Sequence, residues 1–99
     1  RPPRGGVRRD PAGLLLTVIV DAAIWRGHTG RYAHLASDHS YEELHAFAAL
    51  LGLPERAFHR DHYDLPEDHR DAAVVLGAHP VDSRELVRRL RAAGLRARR

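Results

Sequence analysis

The sequence carries eight histidines and thirteen carboxylates in 99 residues, and it has no cysteine. Histidine changes charge near neutral pH and offers a nitrogen ligand to a metal. A carboxylate supplies an oxygen ligand or a general base. Such groups act on a ligand when they stand at the ends of elements. Asp21 closes an apolar, β-branched run. His34 and Asp38 flank a short apolar stretch ahead of a helix. His45 falls in the early turns of that helix, beside its apolar stripe. His62, Tyr63 and Asp64 are contiguous, and Asp82, Ser83 and Arg84 follow the expected third strand. Asp21, His34, His45, His62 and Asp64 are therefore the candidate catalytic residues. Asp38, Tyr63, Arg70 and Arg84 are the candidate substrate contacts. A divalent metal is the cofactor such a set implies, although spacing does not choose its ligands.

Other chemistries lack their signatures. Without cysteine there is no disulfide, thiolate zinc site or cysteine nucleophile. There is no His-Glu-x-x-His. Gly27 and Gly30 lack the strand–turn–helix setting of a phosphate loop, and Ser37, Ser40 and Ser83 sit on no nucleophile elbow. The pairs Asp38-His39, Asp61-His62 and Asp68-His69 arise easily in so His- and Asp-rich a chain, and His28, His39, His69 and His79 read as surface residues. Each candidate also has a plain structural reading. Asp21 could cap a turn, Asp38 and Asp64 could favour positive helix ends, His45 could flank a helix, and Tyr63 could be core. Their recurrence at the ends of separate elements favours one shared site.

The elements that would position them follow from apolar periodicity. The run from Leu14 to Val20 suits a central strand covered on both faces. Residues 24–32 read as a loop and 34–37 as a short strand. Ser40 and Glu43 form a capping box, after which Leu44, Phe47, Ala48 and Leu51 share a helical face that Gly52 and Pro54 end. A short strand is expected at 56–59, a loop at 62–64, and a helix from Pro66 and Glu67 with Ala72, Ala73 and Leu76 buried. A third strand over 78–81 is placed at an edge by Pro80. Asp82 and Glu85 open a last helix that buries Leu86, Val87 and Leu90 and leaves Arg88, Arg89 and Arg91 wet. This alternation predicts an α/β fold with a small, mainly parallel sheet of three to four strands and three helices packed on it. The site would then lie at the carboxyl edge of the sheet.

Charge divides the chain. The net charge is +3 and every basic residue is arginine, yet residues 16–83 hold five arginines against eleven acids, a net of −6. Four arginines lie in residues 1–15 and seven in 84–99. A duplex-binding domain more often carries its basic residues on the folded body, so nucleic acid is a secondary partner, reached through the basic ends. A small-molecule ligand is the expected partner. The longest apolar run is too short to cross a bilayer, so no membrane partner is expected and the cytoplasm is the default location. The domain reading is a disordered, basic, Pro/Gly-rich tail over 1–15, one α/β domain over 16–93, and a basic tail over 94–99.

Several of these segments together resemble the family called domain of unknown function 4031. They are TVIVD at 17–21, HLASD at 34–38, ELHAFA at 43–48, Leu51-Gly52, HYD at 62–64, Arg70, Gly77-Ala78 and REL at 84–86. They come in the family's order over residues 16–90. Two positions depart from it: Ala22 stands where members often carry a second acid, and Tyr32 where tryptophan is common. The resemblance supports the polar positions and implies no activity for them.

Two function classes fit. One is a metal-assisted hydrolase for a phosphorylated or nucleotide-like substrate, in which His34, His45 and His62 act as acid, base or ligand and the aspartates hold a cation. The other is a non-catalytic anion or nucleic-acid binding module. The tail reading is tested separately. Thermal unfolding of the full chain and of a chain beginning at Leu16 should give nearly equal midpoints, and a large loss of stability in the shorter chain contradicts it.

Overall fold

Alternation of buried and exposed residues sets the architecture in the computed structural model, which describes residues 18–27 and 30–96. Strand β1 (Val18–Val20) is buried on both faces. Val18 and Val20 join one apolar cluster and Ile19 another. Strands β2 (Trp25–Gly27) and β3 (Gly30–Ser37) follow. Helix α1 (Tyr41–Leu50) precedes a 3-10 turn over Glu55–Ala57, β4 (Phe58–His59) and β5 (His62–Pro66). A second 3-10 turn, Glu67–His69, leads into α2 (Arg70–Leu76). Strand β6 (His79–Pro80) and helix α3 (Ser83–Ala92) complete the order.

The sheet runs β4-β5-β3-β1-β6, with β2 also paired to β3. This corrects the expected fold. Among the described residues there are six strands, and only β1 with β6 is parallel; the pairs β1–β3, β2–β3, β3–β5 and β4–β5 are antiparallel. Two segments read as loops are strands. Residues 25–27 pair antiparallel with 30–32, and the outer strand is wholly exposed, so no apolar alternation announced it. Residues 62–64 belong to β5, where buried Tyr63 and Leu65 alternate with His62 and Asp64. Pro66 ends this strand and does not begin a helix. Ala72 is exposed, whereas Ala73 is buried. Pro80 does lie in an edge strand paired to β1.

The sheet separates two apolar layers. Leu44, Phe47 and Ala48 of α1 and Ala73 of α2 pack on Val18, Val20, Ala33, Leu35, Tyr63 and Leu65. On the other face Leu86 and Leu90 of α3 cover Ile19 and Ala36, with Val81 and Leu95 alongside. That second cluster is small, so the face carrying His34, His62 and Asp64 is only partly roofed. Ser40 caps α1 by accepting from the Glu43 amide, but the return half of the capping box goes to Ser37, whose Oγ accepts from the Ser40 amide and donates to the Glu43 carboxylate. A side chain at Gly27 would displace the Tyr32 ring, since a Cβ there would come within 2.1 Å of it.

The expected tail over 1–15 lies outside the described residues, as do His28 and the part of the first strand before Val18. Of the expected tail over 94–99, Leu95 packs on the α3 cluster and Arg96 reaches Asp61. Truncating the fully buried Leu65 to Ala should cost about 2–5 kcal/mol in urea unfolding. Val75→Ala, at 83% exposure, should change stability by less than about 0.5 kcal/mol. Equal effects at the two positions would contradict the layer assignment.

Candidate active site

The half-roofed face of the sheet gathers four of the five candidate catalytic residues. Val20 pairs with Leu35 and Trp25 with Tyr32. Four residues, 21–24, therefore oppose two, 33 and 34. The bulge turns the Asp21 side chain under β3, as bulges beside sites commonly do. Asp21 is fully buried. Its carboxylate accepts from the His34 amide at 2.6 Å, His34 Nδ1 at 2.8 Å, Ser83 Oγ at 2.9 Å and Trp25 Nε1 at 3.2 Å. Its main-chain carbonyl accepts from Arg70 Nε at 2.8 Å. Burial alone would push this carboxyl up. The side-chain and backbone bonds from His34, its charge when protonated, and the bond from Ser83 outweigh it and hold the group below its ordinary value.

A second buried aspartate repeats the arrangement. Arg60 adopts φ +63° in the tight turn between His59 and His62, the paired residues of β4 and β5. That turn tucks Asp61 beneath the sheet edge, where it is 4% exposed. Asp61 accepts from His62 Nδ1 at 2.7 Å and from Arg96 Nε at 3.0 Å. Burial raises its carboxyl, and the bonds and charges of Arg96 and His62 more than reverse that.

A carboxylate can only accept, so both histidines present Nδ1–H to their aspartates. Each neutral ring is then left with its Nε2 lone pair directed away from the anchoring acid. The two rings meet edge to face, with centroids 4.8 Å apart. Asp64 stands on the same side of β5 as His62, and its Oδ1 is 3.3 Å from His62 Nε2. One ligand atom each from His34, His62 and Asp64 can be chosen within 4.8 Å of one another. The 3.3 Å pair matches the edge of a coordination tetrahedron with bonds of about 2.0–2.1 Å. Asp64 is exposed and can rotate to close the set.

The other candidates divide. His45 is not in this group. It lies on the opposite face of the sheet, with Nδ1 2.7 Å from the Tyr63 hydroxyl and its ring against Phe58. Tyr63 is buried core, so neither touches the cavity. Period-2 alternation explains this, because Tyr63 must point away from His62 and Asp64. Asp38 pairs with Arg89 of α3 at 3.7 Å. Arg70 supports Asp21 from behind. Arg84 lines the cavity. In an antiparallel sheet neighbouring strands end on opposite sides, so the group occupies a face where a carboxyl edge had been expected.

The cavity has a volume of about 580 Å³, within the usual small-molecule range of roughly 300–1,000 Å³. Asp21, Trp25, His34 and His62 form its floor, and Arg84, Val87, Arg88 and Arg91 of α3 its wall, with Arg96 closing one end. Sequence reasoning missed Asp61, Trp25 and Arg96. Asp61 was discounted as half of an easily formed dipeptide. Trp25 sat in a supposed loop and Arg96 in a supposed tail. The only available signal was that Trp25 is the sole tryptophan.

The family model described as Protein of unknown function (DUF4031) matches residues 18–93, and the chain belongs to that family. No curated protein and no solved structure matches the chain. Among the described residues no helix is long and apolar enough to cross a membrane.

Because Asp61 titrates below its ordinary value when folded, its stabilisation is complete above about pH 4 and is lost as pH falls through the folded value. The difference in melting temperature between the wild type and Asp61→Asn should narrow below about pH 4. A gap unchanged down to about pH 2 would contradict the lowered value.

Proposed function

We propose that this member of the family is a metal-assisted hydrolase acting on a phosphorylated or nucleotide-like small molecule. His34 Nε2, His62 Nε2 and Asp64 are its metal ligands, and Arg84 and Arg91 bind the anion. The observation that carries the reading is the 3.3 Å contact between His62 Nε2 and Asp64 Oδ1. The His62 Nδ1 proton is committed to Asp61. Two carboxylates therefore address the two nitrogens of one ring, and the Nε2–Asp64 contact is one that a second ring proton or a metal ion would bridge. The buried carboxylate behind each imidazole is the support that metal-ligating histidines commonly have, and it fixes both tautomer and ring orientation. Imidazole nitrogens with one carboxylate suit zinc, manganese or nickel better than magnesium.

A divalent ion held there supplies polarisation of a phosphoryl oxygen and a more acidic bound water. The chain supplies the rest. Arg84 and Arg91 neutralise the remaining phosphoryl oxygens from the α3 wall, and Leu86 and Val87 keep that side of the cavity apolar. The net reaction adds water across the phosphate ester and yields an alcohol and phosphate. The arginine wall alone also fits a non-catalytic anion-binding module, in which the histidines would be dispensable for binding.

Chelator-treated protein is titrated with zinc, manganese, nickel and magnesium while binding heat and melting are followed. One equivalent of a transition metal should stabilise the fold by about 2.7 kcal/mol at a hundredfold excess over Kd. Asp64→Asn, at an exposed side chain, should remove that gain without altering metal-free stability. Phosphomonoester hydrolysis should require the same metal. If no metal shifts the melt, the metal reading fails. If metal and phosphate bind without turnover, the binding module replaces the hydrolase.

A further inference from the structure

We infer that the ligand of this cavity is a nucleoside monophosphate whose base stacks on Trp25, an inference that rests on the phosphate-ester reading above. Trp25 is the only tryptophan in the chain. It lies on a strand whose three residues are all exposed, and 43% of its surface is open. Its orientation is nonetheless fixed. Nε1 donates to Asp21 at 3.2 Å, and the ring leans on the His34 imidazole, with centroids 5.1 Å apart and planes at 50°. An aromatic ring already immobilised and still open to a cavity is a stacking platform with little ordering entropy left to lose.

The rest of the cavity lining from α3 is apolar and cationic. Leu86 and Val87 face it from α3. Arg88 is held by Glu85 through two bonds, at 2.8 and 2.6 Å. Arg84 and Arg91 make no ion pair among the described residues. They are therefore available to an incoming anion at no cost in broken pairs. One imidazole, His34, touches both the Trp25 ring and the His62 ring. The platform and the His34–His62–Asp64 group are thus joined through one ring. A ligand that uses both ends carries a planar ring at one and a phosphate at the other. Inorganic phosphate or a sugar phosphate would leave the platform uncovered.

The full chain, loaded with zinc and also without added metal, is titrated with AMP, ribose 5-phosphate and inorganic phosphate. Trp25 emission reports stacking, and calorimetry gives the affinities. AMP should quench the emission and bind roughly five- to hundredfold more tightly than ribose 5-phosphate, the range expected for one base on one aromatic ring. Trp25→Leu should reduce AMP to the affinity of ribose 5-phosphate and leave the sugar phosphate unchanged. Trp25→Phe, which keeps a ring, should retain most of the preference and serves as the test if the Leu variant does not fold. Equal affinities for AMP and ribose 5-phosphate in the wild type would overturn the inference, as would an AMP preference that survives in folded Trp25→Leu. Equal phosphate release from both compounds without quenching overturns this inference and leaves the hydrolase standing. Quenching by AMP without any phosphate release does the reverse.

Discussion

A buried carboxylate must find donors for its lone pairs or lose its charge, and the structure is arranged around meeting that demand at Asp21. Its four donors come from β2, β3 and α3, and its carbonyl receives Arg70 of α2. These partners lie 4, 13, 49 and 62 residues away. One side chain thus holds the hairpin against the sheet, sets the first turn of α3 over it and orients the His34 ring. The bulge at 21–24 is what lets a residue just beyond a core strand turn into that position.

Asp61 applies the same constraint to His62 from the far side of β5, with Arg96 as its second donor. Two buried acids thereby determine where two imidazole nitrogens point. Asp64, by contrast, is exposed and adjustable. Two anchored imidazoles beside an exposed carboxylate are the arrangement on which the proposed cation site rests. The charge pattern fits this division. The basic C-terminal stretch folds back as the cavity wall, opposite Asp21, Trp25, His34 and His62 of the acidic middle of the chain.

Much of this was legible in the sequence, and the failures have physical causes. Asp21, His34, His62 and Asp64 were identified because they end or interrupt apolar runs. The helices α1 and α3 followed from capping residues and 3.6-residue periodicity. The sheet was misread because β2 buries nothing and therefore shows no alternation. The short segment at 62–66 alternates over too few residues to outweigh its polar character. Reading parallel crossovers from element order then misplaced the site at a sheet edge. His45 was grouped with the others because nothing in a helix pattern tells which face of a sheet the helix will cover. Asp61 and Arg96 join through a contact 35 residues long in sequence, which no local pattern encodes.

The central claim is that two buried aspartates hold His34 and His62 with Nε2 free for a shared cation. Long-range proton–nitrogen correlation NMR of histidine-labelled protein reads the tautomers directly, with His34→Gln and His62→Gln variants assigning the two rings. At neutral pH without metal, both rings should carry the proton on Nδ1, and one equivalent of zinc should shift both Nε2 resonances together. Protons on Nε2, or Nε2 resonances that ignore an equivalent of zinc, would contradict it.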